Sequence, residues 1–268
     1  LQPSGVPRGL TGTTLPFKYN DINQLEEIIS KNIGEIAAIK MEVSRNEGPK
    51  NNYLKKVRRL ATDNNIILIF DECTSGFRET FGGIHLKYEI EPDMATFGKA
   101  LGNGYAITSI IGRKEIMTEA ESTFISSTFW TERIGPSAAL KTLEVMEKIK
   151  SWKLISKIGD TIKSRWISLA KKYSLDIKTW GIPALSGFSF NSPKSIHYKT
   201  LITQEMLKKG YLSSNSIYVS TAHTEEVLNS YFKELDLIFA VIKDCEEGLD
   251  VNKILQSPLC HTGFKRLN

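Results

Sequence analysis

Apolar positions follow one rhythm after another along the first half of the chain. Ile22, Leu25, Ile28 and Ile29 recur at helical spacing. Asp21, with Gln24 three residues on, has the form of a capping box ahead of them. IAAIKME (36–42) reads as a strand. KNNYLKKVRRLATD (50–63) reads as a helix whose apolar face carries Tyr53, Leu54, Val57, Leu60 and Ala61. IILIFD (66–71) follows, and its unbroken run IILIF (66–70) is the mark of a strand buried in a parallel sheet. MATFG (94–98) and ITSIIG (107–112) supply two more strands. Strand, helix and strand in this order predict βαβ units with right-handed crossovers and a mostly parallel sheet.

The second half reads differently. IGPSAALKTLEVMEKIK (134–150) predicts a long helix with Pro136 in its first turn, and Trp152 opens another to about Lys172. Short β-like pieces follow at 175–181, 186–191 and 216–220, with helices at 198–210 and 224–244. Mixed short strands and helices predict a small α+β domain. The boundary is expected near 148–153, giving an α/β domain over 1–150 and an α+β domain over 151–268. There is no internal repeat and no low-complexity segment.

Composition narrows the class. The 268 residues are 41% hydrophobic and 24% charged, ordinary for a soluble globular protein, and no apolar run approaches the ~20 residues of a membrane span. The net charge of +5 comes from 35 basic and 30 acidic residues scattered along the chain. KKVRR (55–59) and FKRLN (264–268) are the densest basic spots, and the first is expected to be the solvated face of its helix, not a nucleic-acid surface. Cys73, Cys245 and Cys260 are too few and too spread for a disulfide framework or a zinc site, which favours a reducing cytoplasm.

The candidate chemistry lies at two strand ends. Asp71 closes IILIFDE, and Lys99 stands among Gly98, Gly102 and Gly104 in PDMATFGKALGNG (92–104). Ligands of open α/β sheets lie beyond the carboxyl ends of the parallel strands, where both residues fall. The two charges are expected to meet at the mouth of the sheet, with the glycines letting a bulky ligand approach and burial lowering the lysine's pKa. This pairing suits pyridoxal phosphate, whose pyridine nitrogen needs a carboxylate and whose aldehyde forms a Schiff base with a lysine. The rival reading is a P-loop ATPase. It requires G-x-x-x-x-G-K-[ST], whereas Gly98-Lys99 is followed by Ala100 and has Asp93 where the first glycine belongs.

The stretch LIFDECTSGFRETFGGIHLKYEIEPDMATFGKALGNGYAITSIIGRKEIM (68–117) resembles the class III, fold-type I pyridoxal-phosphate aminotransferases, in the glutamate-1-semialdehyde aminomutase-like branch. The likeness extends from GVPRGL and PFKYNDINQLEEII (5–29) through FISSTFWTERIGPSAALKTLEVM (124–146). It implies a fold-type I large-domain portion followed by a small α+β C-terminal domain. Lys99 then resembles the Schiff-base lysine and Asp71 the partner of the pyridine nitrogen. Cys73 stands where the family packs a small residue on one cofactor face. Thr128 resembles the threonine that reaches the cofactor phosphate of the other subunit of a homodimer, with Ser127 as the neighbouring alternative. The implied activity is transamination or amino-group migration on a small amino or carbonyl compound. The resemblance also implies that 1–268 is the C-terminal part of a longer polypeptide or one piece of a split enzyme, lacking the family's phosphate turn and stacking aromatic. A non-catalytic remnant is the alternative to an enzyme.

Other residues carry two readings each. Trp130, Glu132 and Arg133 suggest a subgroup with its own substrate, or the last two form a local salt bridge. Glu42 is a structural or a site carboxylate, and Arg78 in GFRET is a loop anchor or a carboxylate clamp. Cys73, beside two acids, reads as a packer and not a nucleophile. His223 reads as a helix-start residue.

Overall fold

The computed structural model describes residues 5–44, 46–126, 128 and 131–261. The chain divides into two compact units, Leu1–Trp152 and Lys153–Asn268.

In the first unit, α1 (Ile22–Lys31) begins at the anticipated cap, where Asp21 Oδ1 accepts the Gln24 N–H at 3.1 Å. Its stripe buries Leu25 and Ile29. A four-stranded sheet runs in the order β1 (Ala38–Met41), β2 (Ile67–Asp71), β3 (Met94–Phe97), β4 (Ser109–Gly112). The first two pairings are parallel and the third is antiparallel, so the sheet is mixed and mostly parallel. Helix α2 (Tyr53–Asp63) makes the crossover from β1 to β2 and buries Tyr53, Leu54, Val57 and Ala61. The next crossover holds only a 3-10 turn, Ile84–Tyr88. Two further helices follow the sheet, α3 (Lys114–Met117) and α4 (Ile134–Ile149).

Two expectations need correction here. Strand β2 is not buried on both faces: Leu68 and Phe70 are fully buried, while Ile67, Ile69 and Asp71 on the other face are half-buried. An unbroken apolar run says how much can be buried and not which face is covered. The basic run on α2 is not all solvated either. Lys55, Lys56 and Arg59 are exposed, but Arg58 Nη1 bonds Asp93 Oδ2 at 2.8 Å. Asp93, only 5% exposed, also accepts the Leu68 N–H at 2.8 Å and Arg113 Nη1 at 3.2 Å. Burial pushes its carboxyl up, but the Leu68 N–H and the two guanidiniums outweigh burial and leave it below the ordinary carboxylate value.

The second unit carries α5 (Ser151–Lys172), β5 (Ile177–Trp180), β6 (Leu185–Phe190), α6 (Ser195–Lys208), β7 (Ser216–Tyr218) and α7 (Glu225–Glu246). The three strands form an antiparallel sheet in chain order. Trp166, Phe188, Tyr198 and Phe239 are fully buried in its core. Thr224 caps α7, and His223 Nδ1 just before it accepts the Ser220 N–H at 3.1 Å. Among the described residues no helix is long and apolar enough to cross a membrane, and no group of three His, Cys, Asp or Glu could hold a metal.

Candidate functional site

Parallel pairing sets the geometry of the site. Lys40 is in register with Ile69, and Asp71 with Thr96. Registered residues of neighbouring strands share a face, and so do residues two apart on one strand. Lys40, Ile69, Asp71 and Thr96 therefore lie on one face, at the carboxyl ends of the three parallel strands.

Asp71 sits at the centre of this group. Its Oδ1 accepts the Cys73 N–H and the Thr96 hydroxyl, each at 3.2 Å, and its Oδ2 meets Lys40 Nζ at 2.9 Å. Burial would raise the Asp71 carboxyl, but the Lys40 hydrogen bond, the Cys73 N–H and the Lys40 charge outweigh it and hold the group below the ordinary value. The same contact raises the Lys40 ammonium. Cys73 turns its Sγ toward the Thr96 hydroxyl at 3.8 Å and packs beside Gly98, where an added Cβ would stand 3.5 Å from the sulfur.

Lys99 begins the turn just past β3, and its Nζ bonds the Thr74 hydroxyl. It is held at φ +46°, the left-handed region that non-glycine residues adopt at a cost of about 1–2 kcal/mol. Backbone outliers of this kind cluster at functional sites. The expected meeting of Asp71 with Lys99 takes another form. Lys40 is the cation on Asp71, and Lys99 reaches the loop after β2 through Thr74, a residue given no chemical role from sequence. Lys99 is also exposed and not buried, because its turn projects beyond the strand end. Of the three glycines, Gly102 serves packing, Gly98 has a Thr108 methyl 3.3 Å from its would-be Cβ, and Gly104 meets nothing there at φ +107°. A Cβ on Gly102 would stand 2.1 Å from the Tyr105 carbonyl oxygen, and one on Gly76 would stand 2.7 Å from that of Glu72.

The loop from Asp71 to Gly76 is fastened from below. Glu72, fully buried, accepts the His85 N–H at 3.0 Å, His85 Nδ1 at 2.9 Å and the Ser75 hydroxyl at 2.5 Å. Arg78 Nε donates to the Thr74 carbonyl at 2.8 Å, the geometry of a loop anchor. Thr128 is exposed, as are Glu132 and Arg133 ahead of α4, while Ser127 and Trp130 lie outside the described residues. Beyond the end of β1 a cavity of about 460 Å³ is lined by Thr14, Tyr19, Lys40, Glu42, Asn46 and Glu47, among others.

Sequence reasoning passed over Lys40. The signal was present as a lone lysine within the apolar strand IAAIKM.

This donor set fits the ring end of pyridoxal phosphate: a charged carboxylate with an acceptor site left over, and a lysine within reach of the same loop.

Comparison with known proteins agrees with this fold. A family model described as aminotransferase class-III matches residues 13–227. The 3-aminobutyryl-CoA aminotransferase of Cloacimonas acidaminovorans is 30% identical over 258 residues, covering 94% of this chain and 61% of that protein. The glutamate-1-semialdehyde 2,1-aminomutase of Hyperthermus butylicus is 31% identical over 258 residues, covering 88% and 60%. Among solved structures, the Sphingopyxis sp. FumI protein in its PLP internal aldimine form superimposes with a TM-score of 0.82 at 20% identity, covering 90% of this chain and 60% of that one. The acetylornithine aminotransferase from Elizabethkingia anophelis gives a TM-score of 0.73 at 24% identity, covering 84% and 59%. The chain spans about three fifths of the length of the curated relatives it matches.

Proposed function

Because the chain belongs to the class-III aminotransferase family, we propose that it carries the pyridoxal-phosphate site of an enzyme that transfers or migrates an amino group on a small amino or carbonyl compound. The family match displaces the ATPase alternative. Residues 1–150 are read as the cofactor-binding portion and 151–268 as the small C-terminal domain.

The single observation that carries the reading is the strand-end arrangement itself. Asp71 is held charged on β2, and Lys99 is held in a strained turn at the end of the adjacent strand, tied to Thr74 of the same loop. When bound, pyridoxal phosphate supplies an electron-accepting ring that stabilises negative charge on the substrate carbon. The residues of this chain supply the rest. Asp71 would accept a hydrogen bond from the ring N–H and keep that positive charge in place. Lys99 would hold the cofactor's aldehyde end and, as a free amine, would carry a proton to and from the substrate carbon. Cys73 would pack against one face of the ring. Thr128 would donate its hydroxyl to the phosphate, in the reading where it reaches across to a second copy of the chain in a homodimer. The aminomutase-like resemblance and the Hyperthermus relative favour intramolecular transfer, and the Cloacimonas relative favours transfer between two molecules. The cytoplasm is the proposed compartment.

Borohydride reduction of the chain with pyridoxal phosphate, followed by peptide mapping, tests the assignment. The expected result is a single label on Lys99 that disappears in Lys99→Ala. Label spread over surface lysines, with none enriched at Lys99, would sink it.

A further inference from the structure

Resting on the reading of Asp71 above, we propose that Lys40 is a positioning residue, which orients the Asp71 carboxylate and keeps it charged without itself touching substrate. Three observations lead there. First, register brings Lys40 and Asp71 to one face of the sheet, and Lys40 Nζ contacts Asp71 Oδ2 at 2.9 Å. Second, a carboxylate has about four acceptor sites. Among the described residues two are used on Oδ1, by the Cys73 N–H and the Thr96 hydroxyl, and one on Oδ2 by Lys40, which leaves a site on Oδ2 for an incoming N–H. Lys40 therefore need not leave for the ring nitrogen to bind; it turns the carboxylate plane so that the remaining site is presented. Third, Lys40 interrupts an otherwise apolar strand, between the buried Ile39 and Met41.

The charged and titratable groups acting on Asp71 can be counted element by element. From β1 comes Lys40, and from the following loop Cys73. The group facing it from β3 is the Thr96 hydroxyl, which does not titrate in this range. Lys40 itself feels Glu42 beyond the end of its strand and Cys73. Among the described residues Lys40 is thus the cation that favours the charged form of Asp71. Its side chain is 59% exposed, so the effect is screened and falls at the low end for such pairs.

Carbon-13 titration of aspartate carboxyls in the full chain reads Asp71 directly, with the resonance assigned by its loss in Asp71→Asn. The same samples are titrated with pyridoxal phosphate across the pH range. In Lys40→Met the Asp71 midpoint is expected to rise by about one pH unit. The acid limb of pyridoxal-phosphate affinity should rise with it, since a protonated Asp71 no longer accepts the ring N–H. Lys40→Arg should keep both where the wild type has them and controls for folding of the strand. An unmoved Asp71 midpoint in Lys40→Met overturns the inference. So does a moved midpoint with an unmoved affinity profile, which reduces the pair to fold support. In either case a wild type that binds the cofactor leaves the site reading standing, whereas a wild type that does not bind it at Lys99 removes both.

Discussion

Asp93 shows how much a single buried charge can organise. It joins Arg58 of α2, the Leu68 N–H of β2 and Arg113 beyond β4 through one carboxylate. Asp93→Ala would strand a backbone donor and two guanidiniums. Removing one partner of a buried pair costs ~3–5 kcal/mol, and because Arg58 and Arg113 are partly and largely exposed we expect the lower figure of about 2 kcal/mol in urea unfolding. The pH dependence has a definite sign. A carboxyl lowered in the fold contributes stability that is present above its unfolded value of about 3.9 and is lost as pH falls through its lower folded value. The wild type should therefore lose stability in that acid window more steeply than Asp93→Asn. Asp71 and Lys99 were legible in the chain because strand ends and a glycine-flanked lysine leave a local mark. The Lys40–Asp71, Lys99–Thr74 and Arg58–Asp93 contacts were not, because each partner is chosen by strand register or crossover.

Helices and strands were legible because periodicity is a local property. The caps at Asp21 and Thr224 form as side chain and spacing dictate, and Asp21→Ala should cost about 1 kcal/mol. The antiparallel return of β4 and the helix-free crossover before β3 were less visible, since pairing direction depends on how the connection folds back. Gly159 in α5 separates local preference from packing. Helix propensity alone says that alanine should gain about 1 kcal/mol there. Yet its Cβ would stand 1.9 Å from the Pro183 carbonyl oxygen, a backbone atom that cannot swing aside. Overpacking costs ~1–3 kcal/mol, so we expect Gly159→Ala to destabilise the chain in thermal or urea unfolding, and an unchanged or raised midpoint would contradict the close approach.

For the whole molecule, two compact units each hold buried apolar residues of their own. On the proposed homodimer, Thr128→Val should weaken pyridoxal-phosphate binding about tenfold or more, the worth of one hydrogen bond to a charged group. Sedimentation of the wild type should give a dimer; a monomer with undiminished affinity in the variant would rule out the contact in trans. By itself the sequence determined the α/β class, the order of the main elements, the cap at Asp21 and the strand-end positions of Asp71 and Lys99, because periodicity, capping and turn chemistry act over a few neighbours. Tertiary structure alone decided which face of β2 is covered, that Arg58 turns inward, and that Asp71 accepts from Lys40 while Lys99 donates to Thr74. Those outcomes depend on bringing groups far apart in the chain within 3–4 Å, where a charge finds its partner only after the strands have paired.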